Sequence, residues 1–280
     1  MNRLVLSFQV LVAFAWAACA TAEVKANRRL IAHPDDSSKR VEYFLNKPEG
    51  KGPWPAVIFL HGHQMDQRPG GKDFVTWGVL DRFAKRGYLS VAVSQPGYGG
   101  STGPADFCGL STQHAVSAVI KTLRNEGSID QDRIVIEGIS RGALVASLIA
   151  GYDSTLKGIV LISGVYDLPQ FLANPKSNQA RLIAQSIVEE TGGGLEALRA
   201  RSALQSVQNI KAAALIMNGA KDDRTDPEQA RRLATEINSR GGKARVIVYP
   251  EYGHNIPVGV RDSIIDSFID DVLVKQSHAR

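Results

Sequence analysis

The sequence predicts an α/β fold, a mostly parallel sheet with helices on both faces, and three observations predict it. Short apolar runs, of the kind a strand covered on both faces requires, recur at residues 56–60, 133–137, 158–162 and 212–217. Between them lie segments whose apolar residues repeat at helical spacing, such as Ala115, Val116, Val119, Ile120 and Leu123. Strand and helix alternate in order, which within one sheet gives parallel neighbours joined by right-handed crossovers.

At the edge of that sheet, residues 28–32 and 40–45 alternate around the turn 34–38 and predict an antiparallel hairpin. A proline-rich connector, 47–55, leads into strand 56–60, which ends at His61-Gly62-His63. Residues 74–86 have helical spacing and stop at Gly87, and 88–93 is the next strand. Ser111 or Thr112 is the expected cap of the following helix, with Gly127 past its end. Strand 133–137 enters a turn at residues 138–142, and the apolar run 143–150 leaves it as a helix. After strand 158–162 the alternation lapses. Residues 166–208 read as a small helical cap inserted over the site, with Gly192-Gly193-Gly194 in its middle. Strand 209–218, a helix opened by Asp226-Pro227-Glu228, strand 245–249 and a last helix with its apolar stripe over 264–273 complete the pattern.

The composition bounds the rest. With 280 residues, 44% hydrophobic and 22% charged, the chain suffices for one large α/β domain. Its start reads as a cleaved secretory signal over 1–22: a positive head at Arg3, an apolar run from Leu4 to Trp16, and a small-residue site at Ala20-Thr21-Ala22. The run is too short to span a bilayer, and Trp16, three residues before Cys19, argues against a lipid anchor. The expectation is a secreted or periplasmic domain over 23–280 with no stable membrane association after cleavage. Losing Arg3 takes the formal charge from +5 to +4, and the excess is scattered without aromatic interleaving, which excludes a nucleic-acid partner. Cys108 is left without a disulfide partner and reads as a small buried residue.

Chemistry concentrates at Gly138-Ile139-Ser140-Arg141-Gly142. A serine on a sharp strand-to-helix turn has its hydroxyl thrust clear of the sheet edge, and flanking glycines let strand and helix approach closely. Gly99-Gly100-Ser101-Thr102-Gly103 matches the same pattern, but Pro104 and a polar stretch follow it instead of a helix, so Ser101 reads as a loop residue. A serine nucleophile needs a base, and the base needs an acid to orient it. Of the six histidines, His33 lies in the hairpin, His114 in a first helical turn, His278 in the tail, and His61 and His63 precede the nucleophile; His254 lies downstream in a loop after a strand. The loop 218–226 offers Asp222, Asp223 and Asp226, of which Asp226 is explained as a cap, while composition cannot separate the first two.

These motifs, His61-Gly62, the turn 138–142, Gly219 to Asp222 and Gly253-His254, stand in the order found in α/β-hydrolase-fold serine hydrolases. Over about residues 40 to 275 the chain resembles their prolyl-oligopeptidase-like and dienelactone-hydrolase-like branch. The resemblance implies Ser140 as nucleophile, His254 as base and Asp222 as acid, with the backbone N–H groups of Arg141 and His63 as oxyanion donors. It implies no cofactor and no metal, and a small-molecule ester or short peptide as substrate. Ester cleavage through an acyl-enzyme is the expected reaction, with a serine peptidase of the prolyl-oligopeptidase type as the alternative. No β-propeller precedes the domain in this sequence, so the restriction to short peptides seen in propeller-bearing relatives has no support from it. A nucleotide-dependent oxidoreductase is excluded because Gly192, Gly194 and Ala197 follow a helix instead of a strand. A zinc site at His61 and His63 lacks a third ligand, an intact Ser, His and Asp set argues against a non-catalytic binding module, and the Arg141 side chain reads as paired within the structure or solvated more readily than as a substrate contact.

Overall fold

The computed structural model describes residues 26–65 and 68–273. The leader, Cys19 and His278 lie outside them. β1 (Asn27–His33) and β2 (Asp36–Asn46) form the antiparallel hairpin, joined by only Pro34-Asp35. The turn is tighter than its polar sequence suggests: the Asp35 N–H donates to His33 Nδ1 at 3.2 Å, Asp36 pairs with His33, and a bulge follows before Arg40 pairs with Ala32.

β2 lies antiparallel to β4 (Leu89–Val93), and β4 is parallel to β3 (Trp54–Leu60). From β3 the sheet continues in parallel through β5 (Ile129–Ile139), β6 (Gly158–Ile162), β7 (Ala213–Gly219) and β8 (Ala244–Tyr249). In the order β1-β2-β4-β3-β5-β6-β7-β8 the chain therefore leaves β3 toward one edge of the sheet, to β4, and leaves β5 toward the other, to β6. Crossovers that leave in opposite directions open a crevice at the carboxyl ends of the strands between them, where open α/β sheets hold their ligands. Here those ends carry His61 and Ser140.

Helices cover both faces. On one, α3 (Leu110–Asn125), α4 (Arg141–Ala150) and α8 (Pro227–Ser239) pack over Ile58, Leu60, Ile134 and Ile136. α4 is buried at every position, as its all-round apolar sequence demands. On the other face α1 (Lys72–Thr76), α2 (Val79–Lys85) and α9 (Val258–Leu273) cover Val57, Phe59, Val135 and Val160. The helix expected over 74–86 is thus two helices. Gly78 stands between them at φ 70°, a left-handed conformation that ends one and starts the other. α3 also starts earlier than expected, at Leu110, without a side-chain cap from its own first residues. Asp106 supplies it instead: its carboxylate accepts the Thr112 N–H at 3.2 Å and the Thr112 hydroxyl, while the Ser111 hydroxyl meets His33 Nε2 at 3.1 Å.

Between β6 and β7 run α5 (Leu168–Ala173), α6 (Asn178–Thr191), α7 (Leu195–Ala200) and two 3₁₀ turns. Ser177 caps α6 by accepting the Ala180 N–H at 3.1 Å, and Gly192 ends it at φ 75°. The glycine triplet is therefore a helix stop. Among the described residues no helix is long and apolar enough to cross a membrane.

Candidate active site

Ser140 occupies the turn between β5 and α4 at φ 54° and ψ −114°, a conformation that costs a non-glycine residue about 1–3 kcal/mol. The surrounding backbone holds it there. Its N–H donates to the Ile162 carbonyl at 2.7 Å, tying the turn to the end of β6. A Cβ on Gly138 would overlap the Gly142 carbonyl, and one on Gly142 would overlap the carbonyl of Leu60, so both positions need glycine. The result is a serine side chain at the sheet's carboxyl rim with the first N–H groups of α4 beside it.

Two further loops meet at that rim. The loop after β7 is stitched to the loop after β8 by Ala220 N–H to Tyr249 O (2.8 Å) and Lys221 N–H to Tyr252 O (2.9 Å). A Cβ on Gly219 would collide with the Tyr252 and Gly253 carbonyls. This contact places His254 Nδ1 at 3.1 and 3.0 Å from the two carboxylate oxygens of Asp222, whose side chain is fully buried. Burial alone would raise the Asp222 carboxyl, but hydrogen bonds and charge from His254, then donation from Thr225, outweigh it and hold the group below its ordinary value. Thr225 gives its N–H (2.9 Å) and hydroxyl (2.7 Å), with Arg224 N–H at 2.9 Å and the Asn218 amide at 3.2 Å. Asp223, next in sequence, is exposed, and Asp226 caps α8 through the Glu228 N–H at 3.1 Å. The His254 carbonyl accepts the Ser163 hydroxyl at 2.8 Å, from a residue itself at φ 50° just past β6.

Ser140, His254 and His63 line one cleft of about 210 Å³, with Gln179 and Ile183 of α6 among its walls. His61 lies beneath it with both ring nitrogens engaged. The Gln95 N–H donates to Nε2 at 3.1 Å, so Nδ1 carries the proton and donates to Gly62 O at 2.8 Å. Burial pushes this imidazole down to about 3, so it stays neutral and has no lone pair for a metal. His63 is held near 4, first by burial and then by the Arg141 charge. Among the described residues no group of three His, Cys, Asp or Glu side chains could hold a metal ion.

The Arg141 side chain does not face a substrate space. It is wholly buried, its Nη1 2.8 Å from Glu190 Oε2 on α6 and 3.1 Å from the Tyr98 hydroxyl, its Nε 2.9 Å from Gln95 Oε1. The guanidinium also lies over the Tyr98 and Phe107 rings, 5.0 and 4.9 Å from their centroids. Glu190 further accepts the Phe107 N–H at 2.7 Å, in a loop where Phe107 and Cys108 both have positive φ. Neither Glu190 nor Ser163 stands out in the sequence, since each acts through partners far along the chain, and Thr225 and Asn218, though close to Asp222 in sequence, carry no motif that marks them as its donors. Ser101 is used within its loop: its hydroxyl donates to Ser94 O at 2.6 Å and accepts the Glu42 N–H at 2.8 Å. Cys108 is buried, and burial raises its thiol to about 12, which leaves it inert.

The chain belongs to the prolyl oligopeptidase family, whose profile matches residues 108–271; the X-Pro dipeptidyl-peptidase (S15) profile matches residues 37–172. That membership places it in the serine hydrolase class, whose peptidases and esterases both appear among the proteins it resembles. The uncharacterized peptidase YuxL of Bacillus subtilis is 26% identical over 246 residues, covering 81% of this chain and 35% of that protein. The esterase FrsA of an Enterobacter species is 27% identical over 257 residues, 87% of this chain and 59% of its own. In structure, the acylaminoacyl peptidase of Pyrococcus horikoshii superposes with a TM-score of 0.73 at 18% identity, over 89% of this chain and 41% of that one. An esterase of Pyrococcus furiosus gives 0.67 at 20% identity, over 89% and 90%. Both neighbours share the α/β-hydrolase fold with this chain, which spans less than two thirds of the length of YuxL, of FrsA and of the acylaminoacyl peptidase.

Proposed function

We propose that this protein is an exported serine hydrolase that cleaves a carboxylic ester of modest size through an acyl-enzyme on Ser140. The observation that carries the reading is the Asp222–His254 pair opening onto the same cleft as a serine held in a strained turn. Asp222 accepts the Nδ1 proton, which leaves Nε2 as the basic nitrogen of His254. Nε2 takes the Ser140 hydroxyl proton as Oγ bonds to the acyl carbon. The charge that collects on the carbonyl oxygen is received by the backbone N–H groups of Arg141 and His63. As the tetrahedral species collapses, the C–O bond to the alcohol breaks and His254 returns the proton to the departing oxygen. Water, deprotonated by the same nitrogen, then releases the acid and restores Ser140.

The apolar leader at 4–16 with its small-residue site at 20–22 supports export and cleavage, and N-terminal sequencing of the secreted protein tests both. Ser140→Ala should lower kcat by roughly 10⁶ while leaving the melting temperature unchanged. Turnover near that of the wild type would remove Ser140 from the mechanism. A peptidase is the second reading, favoured by the family match over residues 108–271. Comparing p-nitrophenyl acyl esters with aminoacyl anilides separates the two.

A further inference from the structure

Beside His254 lies a second, larger space that the proposed reaction does not use. It has a volume of about 620 Å³ and shares Phe74, Trp77, Ile139 and His254 with the cleft that holds Ser140. Its walls are mainly apolar, and Trp77 and Val258, both strongly exposed, are among them. Lining it as well is Glu137, on β5 two residues before the turn that carries Ser140. Glu137 is only 6% exposed, yet its Oε2 is buried with no hydrogen-bond partner among the described residues. A carboxylate left unpaired in such surroundings is unfavourable unless something charged or donating meets it.

The charged groups facing it are engaged with one another. Arg82 on α2 is engaged by Asp262 at 3.3 Å and Asp266 at 2.8 Å on α9, and Arg261 on α9 stands 4.0 Å from Asp262. Both arginines are turned to these aspartates, and Arg261 Nε is itself buried without a hydrogen bond, so neither supplies the donor that Glu137 Oε2 lacks. The complement of a mainly apolar cavity with one buried, unpaired carboxylate is an apolar stem ending in a cation. Position decides which part of a substrate that is. His254 gives its proton to the departing group, so a space that the imidazole itself lines beside the Ser140 cleft is placed to receive the leaving group.

We propose that this cavity is a leaving-group subsite that recognises a primary ammonium on an aliphatic stem through Glu137. The assignment rests on the reading of Ser140 and His254 as the reacting pair. The electrostatics agree: burial raises the Glu137 carboxyl to about 7, against the lowering by Arg261, and an ammonium partner would restore its ionised form.

The test compares two benzoate esters of the same length, one of 6-aminohexan-1-ol and one of heptan-1-ol, with benzoate release followed at about pH 8, where the amine is charged. The amino ester is expected to have a kcat/KM higher by roughly 10- to 100-fold, the range of a hydrogen bond to a buried charge. Glu137→Gln should erase that ratio, and Glu137→Met should do the same if the glutamine variant folds poorly. In the wild type the ratio should grow as pH rises through the Glu137 titration. Equal rates for the two esters in the wild type, or a preference that survives in Glu137→Gln, would overturn the subsite. Binding of hexylamine to the Ser140→Ala protein, measured by calorimetry and lost with Glu137→Gln, would sustain it even if fluorophosphonate labelling failed at Ser140. In that case ammonium recognition by Glu137 stands, and its leaving-group role falls with the catalytic reading.

Discussion

Asp222 and Asp223 show how much one position decides. Both are aspartates in the same loop, yet one is buried among four donating residues and the other faces solvent. A carboxylate that accepts the Nδ1 proton fixes the imidazole tautomer, and an amide in its place presents a donor where an acceptor is needed. Asp222→Asn should therefore cut kcat by roughly 10⁴, while Asp223→Asn leaves it within about twofold. Steady-state kinetics on one ester decides the pair, and equal losses would show that the loop as a whole, and not the Asp222–His254 bond, matters. Ser140 follows the same logic from the other side, because its positive φ is tolerated only where Gly138 and Gly142 let three backbone segments crowd together.

The turn at 138–142 and helix α6 are coupled through one buried ion pair. Arg141 follows the serine directly, and its guanidinium is held by Glu190 near the end of α6, a helix that also supplies Gln179 and Ile183 to the cleft. Removing one member of a buried pair leaves the other charged and uncompensated, which costs about 3–5 kcal/mol. Glu190→Ala should lose stability on that scale in chemical denaturation, and Glu190→Gln less, because an amide oxygen can still accept from Arg141. A loss under about 1 kcal/mol in the alanine variant would mean that Tyr98 and Gln95 alone hold the arginine. The helices between β6 and β7 are thus fastened to the turn they overlie and are not a loose insertion. α2 and α9 are joined in the same manner by Arg82 and Arg86 to Asp266.

At the scale of the whole molecule, the divergence of the chain from β3 and β5 toward opposite edges of the sheet brings His61 and Ser140 to one crevice, and it also buries His61 beneath that crevice. This imidazole is held near 3, far below the 6.5 of a free one. As pH falls through that interval the unfolded chain takes up a proton that the folded chain refuses. The stability His61 contributes is therefore full above about pH 6.5 and is lost toward pH 3, at about 1.4 kcal/mol per pH unit. Denaturant titrations across that range should show the slope in the wild type and a shallower one, by about one proton, in His61→Gln. An unchanged slope would assign the acid sensitivity to other groups.

Local chemistry made much of this legible in advance. Strand runs, the turn at 138–142, the Asp226-Pro227 cap and the candidates Ser140 and His254 depend on neighbours within a few residues, so the sequence by itself determined the α/β layout and the glycine-flanked turn at Ser140. Even there the split at Gly78 and the remote cap from Asp106 escaped, because a glycine's φ and a carboxylate's reach are set by the surrounding fold. The rest was decided by side chains meeting across long stretches of chain: Asp222 with His254, 32 residues apart, Arg141 with Glu190, 49 apart, and Glu137 Oε2 left, among the described residues, without a hydrogen bond at a cavity between α2 and α9. Backbone periodicity reports which face a residue lies on. Only the tertiary structure decides what stands opposite it, and pairing, burial and charge balance all follow from that.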